Sequence, residues 1–163
     1  MDERDYAAMN EGKKVHLQAM KILALDIATV TGWATDTAFG TWNLKPNRGE
    51  SESMRVVRFK SKVREMVNME GITLVAYERP AGMHKASIMV ASEMVGVLKD
   101  LSHELGFDLA CYSATEIKKF ATGKGNAGKP DMIAAAKALG NAVINDNEAD
   151  AIHLLRLVKQ ELT

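Results

Sequence analysis

From Lys21 onward the apolar and polar positions fall into a clear order of elements. KILALDIA is a short apolar run that ends in an acid, Asp26, and Thr31-Gly32 reads as a turn after it. WATDTAFGTW reads as a hairpin through Phe39-Gly40, and residues 46–53 as a polar loop. SMRVVRFKSKVREMVNMEG has helical periodicity. Val56, Phe59, Val63 and Met66 form an apolar stripe opposite Arg55, Arg58, Lys62 and Glu65, and Gly71 stops the helix. ITLVAYE is almost continuously apolar and ends in Glu78, the pattern of a strand covered on both faces. Pro80 and Gly82 break the chain before a long helix over Lys85 to Leu105, closed by Gly106. DLACYS predicts another strand, short helices follow at Thr115–Phe120 and Pro130–Leu139, and a last helix runs from Asn147 to Glu161. That helix places Ala151, Leu154, Leu155 and Val158 on its buried side. An antiparallel hairpin followed by strands joined through helices implies an α/β domain with a mixed five-stranded sheet and helices on both faces. The single domain is expected over 20–163. Residues 1–19 are polar and weakly patterned, and read as a flexible extension.

Composition narrows the partners more than the fold. The 163 residues are 47% hydrophobic and 26% charged, as expected of a globular domain. Lys plus Arg and Asp plus Glu stand at 21 each, so the formal net charge is zero. There is no global attraction for nucleic acid, and any such contact must come from a local basic patch. Cys111 is the single cysteine, which excludes an internal disulfide, and no Cys/His group has zinc spacing; Cys111 reads as a buried strand residue. No apolar run is long enough to span a membrane and no secretory segment is evident, so a cytoplasmic protein with no membrane partner is expected.

The candidate chemistry is acidic. Asp26 ends the first strand, Glu78 ends a buried strand, and Asp150 lies in NDNEADAIHLL on the last helix. Sites in open α/β sheets gather at strand ends. Carboxylates brought together there repel one another, and divalent cations relieve the repulsion. Two hard cations about 3.5–4 Å apart suit in-line displacement at a phosphodiester. Each acid also has a plainer reading as the first residue of a loop, and Asp146 as an N-cap.

The flanking residues carry a resemblance. ILALDIATVTGWA resembles the first strand and turn of RuvC-type Holliday-junction resolvases, VAYERP their second carboxylate strand, EIKKFATGKGNAGKPDMIAAAKALG their basic stretch and following helix, and EADAIHLL their closing helix. In order, these motifs cover most of the chain from Lys21, and 1–19 has no counterpart. The resemblance implies a ribonuclease-H-like fold and a metal-dependent endonuclease that nicks branched DNA such as four-way junctions. It also implies two Mg²⁺ or Mn²⁺ ions on Asp26, Glu78 and Asp150, and a homodimer. The family's fourth ligand, commonly Asp or His, stands three residues before the last Asp, where this chain has Asn147. Asp146 lies on the same helical face as Asp150 and is preferred for the role over Asn147 or Glu148. Lys118 and Lys129 align with the family's phosphate-contacting bases, with Lys119 and Lys124 beside them. Gly123, Gly125 and Gly128 leave room for a nucleic-acid backbone. The alternative for this run is a solvated charged face.

Met83 reads either as an apolar wedge at the junction or as a core residue. His84 and His153 read as surface or helix-end residues. The apolar positions Ile88, Met89, Ala91, Met94, Val95 and Leu98 make the Lys85–Leu105 helix the candidate dimer element, with Gly96 permitting close approach, unless they are buried within the monomer. A resolvase this short suits a phage or prophage. Rival readings are a related nuclease processing structured RNA, an actin-like ATPase, which needs two such domains, and a nucleic-acid-binding module without catalysis.

Overall fold

Alternation along the two central strands sets the architecture. In β1 (Ile22–Asp26), Ile22 and Ala24 are buried toward one face while Leu23 and Leu25 are buried toward the other. The second, β4 (Leu74–Glu78), divides Leu74 and Ala76 from Val75 and Tyr77 in the same way. A strand apolar at every position is one covered on both sides. This computed structural model describes residues 20–162 and Arg4, so most of the expected extension lies outside the described residues.

With β2 (Val30–Ala34), β3 (Phe39–Asn43) and β5 (Asp108–Tyr112), the sheet has the order β3-β2-β1-β4-β5. β2 pairs antiparallel with β1 and β3, while β4 runs parallel to both β1 and β5. It is the mixed five-stranded sheet expected. On one face, α1 (Met54–Glu70) and α2 (Lys85–Leu105) bury Phe59, Val63, Met94, Leu98 and Leu101. On the other, α3 (Ala114–Thr122), α4 (Lys129–Ala138) and α5 (Asp146–Leu162) bury Ile117, Met132, Ala136, Leu154 and Val158. Ser113 and Glu116 start α3 with a reciprocal capping box, and an ion pair between Lys159 and Asp36 ties the hairpin turn to α5.

Three expectations are corrected, and one open alternative is decided. The hairpin turns at 35–38, where Thr35 N–H donates to Ala38 O at 2.8 Å. Phe39 and Gly40 lie inside β3, opposite Ala34 and Trp33. A Cβ on Gly40 would stand 3.1 Å from the Trp33 ring, tighter than ordinary packing. Thr31-Gly32 is not a turn but part of β2; the turn before it is held by Thr31 Oγ1, which donates to Ala28 O at 2.6 Å. Cys111 is exposed, because β5 is an edge strand. Finally, Ala91, Met94, Val95 and Leu98 are buried within this chain's own core, which leaves Met89 and Gly96 on the outer surface of α2. Among the described residues no helix is long and apolar enough to cross a membrane.

Candidate active site

Asp26 and Glu78 end adjacent parallel strands, one residue past the paired Leu25 and Tyr77. Side chains two apart share a face of a sheet, so both carboxylates fall on the side of Ala24 and Ala76, the side covered by α3, α4 and α5. The start of α5 delivers the other two acids. Asn145 accepts from Glu148 N–H at 2.9 Å through Oδ1, and the Glu148 carboxylate accepts from Ile144 N–H at 2.9 Å. Asn145 therefore makes the side-chain cap, not Asp146 as one reading expected, and the Asp146 carboxylate is left for other partners. Asp146 and Asp150, one turn apart, share a face of α5.

Gly32 lets that helix come so close. It is the register partner of Asp26, and a Cβ on it would lie 2.0 Å from the backbone oxygen of Asn147. The first turn of α5 thus rests on bare β2 backbone opposite Asp26. Asn147 turns its backbone to Gly32 and lines a cavity of about 350 Å³ with Ala28, Thr29, Val30, Ala86, Ser87 and Val90.

The electrostatics report how tightly the acids are gathered. Burial raises the Asp26 carboxyl well above the usual range, and the charges of Asp150, Glu78 and Asp146 raise it further, against Lys129. Burial, then Glu78 and Asp146, pushes Asp150 up to about 7, with Lys118 and Lys129 opposing. Glu78 is raised by burial and lowered by Lys118. Lys129 Nζ stands 3.5 Å from Asp146 Oδ2. The structure therefore brings together Asp26, Glu78, Asp146 and Asp150, with Lys118 and Lys129 beside them. Lys119 and Lys124 are exposed and are not among the charges acting on Asp26, Glu78 or Asp150.

Met83 is 92% exposed between β4 and α2, which removes its reading as a core methionine. His84 is exposed at the start of α2, as expected. His153 is not a surface residue: it is fully buried. Two glycines of the basic loop have structural reasons of their own. Gly123 closes α3 in the left-handed conformation, and a Cβ on Gly125 would stand 2.8 Å from Thr115 Cγ2. Gly32 is the position whose part in the site the sequence pattern did not assign, although a glycine inside an otherwise β-branched and aromatic strand is the signal that marks it.

Carboxylate oxygens are the donors hard divalent cations prefer, and a bound cation would offset both the burial and the mutual repulsion that raise Asp26 and Asp150. The donor set fits such an ion, although among the described residues no three His, Cys, Asp or Glu side chains form a ready metal cage.

The fold is that of the RuvC and ribonuclease-H-like nucleases. Thermus thermophilus RuvC, in complex with a Holliday junction substrate, superposes with a TM-score of 0.70 at 17% identity, over 88% of this chain and 98% of that one. A second Thermus thermophilus RuvC structure gives 0.66 at 18% identity, over 88% of this chain and 96% of that one. The yeast mitochondrial Holliday junction resolvase gives 0.63 at 10% identity, over 94% of this chain and 86% of that one. No family model matches the chain, and no curated protein matches it in sequence.

Proposed function

We propose that this chain is a divalent-metal-dependent endonuclease that nicks four-way and other branched DNA, with its nuclease domain spanning 20–163. The observation that carries the reading is the convergence of four carboxylates from β1, β4 and α5 beside Lys118 and Lys129. The likeness in fold to resolvases, one of them solved on a Holliday junction, supports the choice of substrate. Asp26, Glu78 and Asp150 would hold the Mg²⁺ or Mn²⁺ ions, two per site, with Asp146 as fourth ligand. When bound, such ions supply activation of water and stabilisation of charge on the leaving oxygen. Lys118 and Lys129 neutralise the phosphate approaching the acids, and Lys119 and Lys124 extend the contact along the backbone. Met83, exposed and free of its own core, would pack against an unstacked base.

Two equivalent strands at a junction call for two equivalent sites, so the working unit is a homodimer. Because Met94 and Leu98 are buried in the monomer, the contact surface of α2 is its outer side, around Met89 and Gly96. The cytoplasm of a bacterium or of a phage-infected host is where this substrate is met.

The test is incubation with a synthetic four-way junction. Mg²⁺ or Mn²⁺ should support nicking and excess chelator should stop it. Asp26→Asn, Glu78→Gln and Asp150→Asn should each lower the rate about 100-fold or more while junction binding survives. Undiminished cutting in chelator, or cutting of structured RNA in place of the DNA junction, overturns the reading.

A further inference from the structure

One buried polar side chain is left without a part in the site. His153 lies one turn beyond Asp150 on α5, fully enclosed within the apolar cluster that packs α3, α4 and α5 on the sheet. Its Nε2 stands 2.9 Å from Met132 O on α4, and its Nδ1 stands 3.3 Å from an Arg156 guanidinium nitrogen. A carbonyl only accepts and a guanidinium only donates. Both contacts are therefore satisfied by one form of the ring, the neutral tautomer with its proton on Nε2. Arg156 in turn lies over the Phe120 ring of α3, its Cζ 5.1 Å from the centroid. One imidazole on α5 thus links to α4 directly and to α3 through a cation–π contact.

The two helices so joined carry the basic side of the site. Lys129 is in the first turn of α4, three residues before Met132, and Lys118 is two residues before Phe120 on α3. An apolar residue would fill the same space without the cost of desolvating a polar ring. What an imidazole adds is direction, since its two hydrogen bonds fix the position of α4 and of Arg156 relative to α5.

We propose that His153 is a positioning residue, which holds α3 and α4 against α5 so that Lys118 and Lys129 face the carboxylates of Asp26, Glu78, Asp146 and Asp150. The consequence for turnover rests on the nuclease reading, whereas the consequence for helix order does not.

The pair of readouts follows that division. His153→Leu keeps the volume roughly apolar and should fold, and His153→Gln restores an N–H for Met132 O and an acceptor for Arg156. Hydrogen exchange on the protein alone should be faster by about tenfold in residues 114–138 of His153→Leu, with β1 and β4 unchanged. His153→Gln should exchange like the wild type. On a four-way junction His153→Leu should lose about tenfold in kcat, His153→Gln little, and Lys129→Ala should add almost nothing to His153→Leu. Exchange in α3 and α4 unaltered by His153→Leu, or raised equally through the whole chain, overturns the proposal, as does full multiplication of the His153→Leu and Lys129→Ala losses. A wild type that cuts no junction sinks the nuclease reading alone, and the exchange experiment then decides the clamp.

Discussion

The two faces of the sheet differ in kind. Under α1 and α2 the packing is dominated by apolar side chains: Leu23, Leu25, Phe59, Val63, Met94, Leu98 and Leu101 interlock, no carboxylate, lysine or histidine is among the buried residues, and the phenol of Tyr77 is the titratable group there. Under α3, α4 and α5 the same sheet meets an apolar cluster that also encloses His153, with Glu148 buried at the start of α5 and four carboxylates and two lysines at its upper edge. A sheet covered on both faces needs only one of them to be rigid and featureless. The other can then carry desolvated charge, at a cost the first face offsets. The difference shows why the acids raised above their usual range are all on one side: strand-end side chains at every second position project where α5 closes over them.

The contrast can be broken most severely at Gly32. Gly32→Ala places a methyl group against Asn147 O and must push the first turn of α5 off β2, carrying Asp146 and Asp150 away from Asp26. Junction cleavage should fall by about 100-fold, since small misplacement of reacting groups has costs of that order. Cleavage at the wild-type rate, in a variant whose structure shows α5 unmoved, would remove Gly32 from the account. On the opposite face Leu98→Ala should cost about 2–5 kcal/mol of stability, read by chemical denaturation, because it opens a void in a closed apolar layer. Metal binding and cleavage by the folded fraction should remain near wild type. Parallel loss of both would show that the faces are not separable.

Acidity offers a gentler probe. Asp150 titrates near 7 when folded, against a lower value in the unfolded chain, so between those values the folded protein holds the extra proton. That contribution is fully present below the unfolded pKa and is lost as pH rises through about 7. Asp26 shifts in the same direction. Metal-free protein should therefore melt at a lower temperature at about pH 8 than at about pH 5, the two raised acids outweighing buried His153, whose lowered pKa acts in the opposite sense, and added Mg²⁺ should reverse the trend. A melting temperature that climbs across the same range without metal would contradict the gathering of the acids. The smallest effect expected is in salt dependence. Lys118→Ala and Lys129→Ala should each flatten the plot of log junction affinity against log salt by about one unit, and Leu98→Ala should leave it unchanged.

Much of this was legible along the chain. The continuous apolar runs of KILALDIA and ITLVAYE specify strands buried on both faces, and an acid closing each run places Asp26 and Glu78 at neighbouring strand ends. Helical spacing puts Asp146 and Asp150 on one face, and the ordered motifs carry the resemblance to RuvC-type resolvases. Other features had no local signature. Whether the apolar side of α2 served its own core or a second subunit turned on what packed against it, and Met94 and Leu98 went inside because α1 and the sheet left that space to fill. Cys111 looks like any core strand residue until β5 proves to be an edge. His153 sits in a helical stripe that periodicity alone would give to an apolar residue; its partners lie 21 residues away on α4 and, through Arg156, on α3. Short-range pattern determines which elements form and which face each buries, because propensity and periodicity act over a few residues. Which faces meet, how closely α5 approaches Gly32, and which charges become neighbours are decided only by packing, since those contacts join segments that the sequence keeps far apart.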